Sequence, residues 1–69
     1  MTTRINRRLM REARENVGLS QEDLARAIGV AKNTIQRMET IEGYNVKIQL
    51  PGEVATRLGL QASDLILDD

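Results

Sequence analysis

Three glycines, Gly18, Gly29 and Gly59, each close a segment whose apolar residues recur at helical spacing. Glycine supplies the left-handed conformation that commonly ends a helix. The chain therefore reads as short helices with tight connections. Ile5, Leu9, Ala13 and Val17 recur every four residues with Met10 beside them, which predicts a helix over about 4–16. Ser20 precedes QEDLARAIG, and Asp23 three residues on makes a start like a capping box, so a second helix is expected over about 21–28. Leu24, Ala25 and Ile28 form its apolar stripe.

The third helix, about 32–39, has an unusual outer face. Taking about 100° per residue with Lys32 at zero, Ile35 and Met38 fall near 300° and 240°, one buried stripe. The other side holds Lys32, Asn33, Gln36 and Arg37, which are amides and cations with no acid. Its entry is weakly signalled, because Ala31 stands where a capping serine or threonine is expected.

After it, TIEGYNVKIQ reads as a loop turning at Gly43. Val46, Ile48 and Leu50 alternate with polar residues, but a lone strand among helices has no partner. An extended segment tucking Ile48 or Leu50 into the core is the expectation. Tyr44 either covers the turn or bonds a phosphate. Pro51 suits the first position of a fourth helix over 51–58, lined by Val54, Ala55 and Leu58. A last helix is expected over 62–67, with Leu65 and Ile66 inward, followed by a solvated Asp68–Asp69 tail. These elements make residues 1–69 one all-α, five-helix domain with no repeat or linker.

Composition narrows the chemistry. The 69 residues include no Cys or His, so a disulfide framework, a Ser-His-Asp triad and a Cys-His pair are excluded. Glu22 with Asp23, and Asp68 with Asp69, are adjacent acids without a pocket; no enzyme and no cofactor are indicated. No apolar run approaches a membrane span and no signal peptide opens the chain, which suggests a soluble cytoplasmic protein. Net charge is zero, yet unevenly spread. Residues 1–37 carry eight Arg and Lys against four acids (+4), and residues 38–69 carry two against six (−4). Arg4, Arg7, Arg8 and Arg11 form a basic rim on the first helix, suited to phosphate or to solvent.

The joint between the second and third helices is the informative feature. Two helices meeting at roughly 90–120° through a short turn make a helix-turn-helix. Ala25 supplies a small crossing residue, Gly29 the turn, and Leu24, Ile28, Val30, Ile35 and Met38 the wedge. The stretches GLSQEDLARAIGVAKNTIQRME (18–39), LPGEVATRLGL (50–60) and SDLI (63–66) resemble the Cro/repressor-type, XRE-like family.

That resemblance implies a compact lambda-repressor-like fold and a sequence-specific transcriptional regulator of double-stranded DNA, most simply a repressor. Its helix 32–39 would lie in the major groove. Lys32, Asn33, Gln36 and Arg37 would read base edges, and Ser20 and Gln21 would contact phosphate. Arg11, Thr34 and Lys47 are further phosphate candidates. The residue types suit this work: Arg and Lys pair with guanine, Asn and Gln with adenine. The resemblance also implies an Arg14–Glu39 ion pair, with Glu39 near 340°, off the basic face. A homodimer on a near-palindromic operator is expected, with Leu65, Ile66 and Leu67 as a candidate dimer surface. The competing readings are an antitoxin or other protein-interaction module, and a helix-turn-helix that has lost DNA binding.

Overall fold

A computed structural model describes residues 1–67; the Asp68–Asp69 tail lies outside the described residues. The order is β1 (Thr2–Ile5), α1 (Arg7–Asn16), α2 (Gln21–Ile28), α3 (Lys32–Thr40), β2 (Asn45–Lys47), α4 (Gln49–Leu58), α5 (Ala62–Leu65) and β3 (Ile66–Leu67). The fold is rich in helix but not all-α. The three strands form one antiparallel sheet in the order β2-β1-β3.

The sheet corrects three expectations together. The first helix starts at Arg7, not at residue 4. Asn6 takes the N-cap position, and its side-chain oxygen accepts from the Leu9 N–H at 3.2 Å. Ile5 keeps its inward direction but reaches the core from β1. The segment around Val46 is no lone strand but β2, because Thr3 pairs with Val46 and Thr2 with Lys47. Side chains alternate across a strand, so Val46 is buried while Asn45 and Lys47 face out. Ile48, expected inside, is 43% exposed, and Leu50 is half-buried. The last helix stops at Leu65, because Ile66 and Leu67 pair with Ile5 and Arg4.

The fourth helix begins two residues before Pro51. Proline at its third position loses no bond, since the first four amides of a helix have no partner within it. Glu53 consequently falls past the first turn.

Met10, Leu24, Ile35, Met38, Val54 and Leu65 are fully buried and join all five helices to one core, with Ile5 and Val46 closing it from the sheet. Leu65 is thus part of the core and cannot form a dimer surface. Val17, expected on the inner stripe of α1, is 48% exposed, because the helix has ended at Asn16.

Between α2 and α3 the chain turns in three residues. Gly29 has φ 79°, a left-handed conformation that a side chain would strain. Both the Gly29 and Val30 amides donate to the Ala25 carbonyl, at 2.9 and 3.0 Å. Ala25 and Leu24 are buried beneath this turn, as are Ile35 and Met38 of the next helix. The burial fixes which side of α3 remains outside.

Candidate nucleic-acid interface

With Ile35, Met38 and Glu39 buried, Lys32, Asn33, Gln36 and Arg37 are left exposed on α3. Thr34, between them in sequence, is half-buried. The helix enters through Ala31, whose backbone is extended and which offers no side-chain hydrogen bond. The amides of the first turn therefore lack a side-chain cap and keep a partial positive charge. That combination of open amides, cations and carboxamides favours an anionic, hydrogen-bonding surface.

Charge pairing separates this face from the rest. Arg8 meets Glu12 at 3.2 Å, Arg26 meets Glu22 at 2.9 Å and Arg11 meets Glu15 at 3.8 Å, all one turn apart on exposed faces. Among the described residues, Lys32, Arg37 and Lys47 have no acidic group within ion-pair distance. Exposed pairs contribute about 0–1 kcal/mol. Arg11 can therefore exchange Glu15 for another anion at little cost, while Lys32, Arg37 and Lys47 have nothing to give up.

The phosphate candidates fall into three environments. Ser20 is exposed at the N-cap of α2, where its hydroxyl oxygen accepts from the Asp23 amide at 2.9 Å. The Asp23 carboxylate accepts in return from the Ser20 amide at 3.3 Å, completing the capping box. Hydrogen bonding from Ser20, with a lesser attraction from Arg26, holds the Asp23 carboxyl below its ordinary range. Thr34 and Lys47 line one groove of about 400 Å³ with Val30, Tyr44 and Leu50. Tyr44 packs half-buried against the core, so covering the turn is a role its position already fills. Arg11 lies apart, on the outer side of α1 beside Arg8, Glu12 and Glu15.

Gln21 is different, and the sequence does not announce why. Its side-chain amide donates to Glu39 Oε1 at 3.2 Å. Glu39 also accepts from Arg14, through Nε to Oε2 at 2.7 Å and Nη2 to Oε1 at 3.0 Å. The third Arg14 nitrogen, Nη1, donates to the Leu19 carbonyl at 2.7 Å. Ion pairing with Glu39 strengthens the hold of Arg14 on its proton and outweighs the opposing effect of burial. The cluster ties the end of α1, the entry to α2 and the end of α3 together, with no buried polar side-chain atom unpartnered among the described residues.

Arg7 is the other departure from the expected rim. Its Nη1 donates to the Thr40 carbonyl, the last of α3, at 2.9 Å. A charge that reads as a phosphate contact from its neighbours is engaged with backbone. The acceptor lies 33 residues away, and backbone carbonyls leave no mark in sequence.

Among the described residues, no helix is long and apolar enough to cross a membrane. No curated protein matches the chain. A family model described as "Helix-turn-helix" matches residues 10–40, from within α1 to the end of α3. It thus spans both partners of the Arg14–Glu39 pair and also Lys32, Asn33, Gln36 and Arg37. Over residues 10–40 the chain is similar to the Cro/repressor-type, XRE-like helix-turn-helix, a domain of DNA-binding transcription regulators.

Proposed function

We propose that this chain is a sequence-specific regulator of transcription that reads the DNA major groove with α3 and acts as a repressor. One observation carries the reading: the exposed side of α3 holds Lys32, Asn33, Gln36 and Arg37, and its two cations have no acidic partner among the described residues. A solvated helix on this chain looks otherwise, as the glutamate-paired arginines of α1 and α2 demonstrate.

In the proposed mode, Arg37 and Lys32 pair with guanine O6 and N7, while Asn33 and Gln36 pair with adenine N6 and N7. Ser20 at the start of α2 and Lys47 with Thr34 beside the groove meet phosphates on either side. Phosphate contacts fix register and orientation without reading bases. Gln21 acts from behind, steadying Glu39, with its second amide hydrogen left for phosphate. Arg11 adds an outlying contact after releasing Glu15. One such module reads few base pairs, so two copies bind together, their recognition helices about 34–36 Å apart on a near-palindromic site. The whole chain is proposed to be one lambda-repressor-like domain working in the cytoplasm.

The experiment is selection of binding sites from random duplex DNA, followed by titration of the selected duplex and a scrambled one at several salt concentrations. A recurrent site with two related halves, and affinity falling steeply between about 50 and 200 mM salt, is the expected result. Recovery of no shared sequence would count against base reading.

A further inference from the structure

Helix α3 is closed differently from its neighbours. Glycines with φ of 77°, 79° and 73° follow α1, α2 and α4, turning the chain back to satisfy terminal carbonyls. At the end of α3 stands Ile41, with extended φ −95° and ψ 115°. Its amide reaches Arg37 O at 3.0 Å, and the Thr40 hydroxyl donates to Gln36 O at 2.8 Å. The Thr40 carbonyl receives its hydrogen bond from Arg7.

Arg7 is also poorly placed for its own helix. It is the first residue of α1, where the helix dipole is positive and disfavours a cation, and the first turn contains no acid. At the negative end of α3 the same charge is favourable. Arg7 and Arg14, two turns apart on one side of α1, both grip the last two residues of α3.

We propose that Arg7 is a positioning residue for DNA reading: it serves as the C-terminal cap that α3 lacks, and so sets the angle at which Lys32, Asn33, Gln36 and Arg37 are presented. This rests on the DNA-reading function proposed above. It departs from reading Arg7 as one of a row of phosphate contacts. The two roles differ in salt dependence. Loss of a phosphate contact weakens all sequences alike and lowers the salt slope by about 1. Loss of a positioning contact weakens the specific site and leaves the slope alone.

The test compares wild type, Arg7→Ala and Arg7→Lys. Binding to a selected duplex and to its scrambled version is measured across salt concentrations, and amide hydrogen exchange is measured without DNA. For Arg7→Ala, the expected results are a loss of about two- to fivefold on the selected duplex, the range of a helix-end charge interaction, with unchanged scrambled binding and unchanged slope. Exchange at Thr40 and Ile41 accelerates, while that at Ala25 and Gly29 does not. Arg7→Lys, still able to donate to the carbonyl, restores part of both effects. Equal weakening on both duplexes with a slope lower by about 1 would overturn the proposal in favour of phosphate contact. Unchanged exchange at Ile41 would overturn it whatever the DNA result. If wild type fails to distinguish the two duplexes, DNA reading itself falls, and the exchange result still decides whether Arg7 caps α3.

Discussion

Arg14 and Glu39, 25 residues apart, face each other through two hydrogen bonds of 2.7 and 3.0 Å, with the Glu39 side chain almost wholly buried. The fork geometry and the added bonds from Gln21 and to Leu19 leave neither charge uncompensated. Removing one partner strands the other inside. Glu39→Ala should cost about 3–5 kcal/mol, a large part of the stability of so small a chain. Urea denaturation checks this. Replacing both residues by apolar ones of similar volume should cost less than replacing Glu39 alone, because no charge is then left buried.

The capping box at α2 makes a prediction about acid. The Asp23 carboxyl is held below its ordinary value, chiefly by the Ser20 hydroxyl and then its amide. A carboxyl whose folded pKa is depressed stabilises the fold above its unfolded pKa, and that contribution is lost as pH falls through the folded value. The loss belongs to the window below about pH 4. Following the Asp23 carboxyl by NMR should give a midpoint below that of an unfolded peptide, and Ser20→Ala should move it upward. An unmoved midpoint in Ser20→Ala would show that Ser20 is not the cause.

Ala31 offers a separation of stability from binding. Its extended backbone is suited to an N-cap, but its side chain cannot accept. Ala31→Asp should stabilise the free protein by about 1 kcal/mol through the missing cap. The same carboxylate would stand at the entry to the proposed reading helix and repel phosphate. Thermal melting should therefore rise while DNA affinity falls. A rise in both would place the α3 N-terminus away from the DNA backbone.

Lys47 tests the groove side of the proposed interface. It lies exposed at the edge of the sheet, lining the groove that Thr34 also lines. Lys47→Ala should weaken binding to all duplexes about equally and lower the salt slope by about 1. A change confined to one base position would assign it to base reading instead.

The helix-turn-helix was readable because its signals are local. Ser20 and Asp23 open α2, Gly29 ends it, and Ile35 and Met38 mark the inner side of α3, all within 19 residues. The sheet was not, because its pairs join residues more than 40 apart, such as Thr3 with Val46. Ile5 sits four residues before Leu9 and so mimics another helical turn, although Asn6 between them is a good cap. Ile66 and Leu67 likewise continue a helical stripe until β1 gives them a strand to pair with. For the candidate interface, residue type indicated the exposed amides and cations of α3. The connections of Gln21 to Glu39 and of Arg7 to Thr40 depend on how α1 and α2 pack over the end of α3, which no local spacing encodes.

Arg37 bears most directly on the proposal that this face reads bases. Sites selected from random duplex DNA by wild type and by Arg37→Ala should be compared base by base. One position in each half-site should lose its preference in the variant, by about 1–3 kcal/mol, with the other positions retained. Wild type and variant binding every sequence equally would contradict base reading by α3.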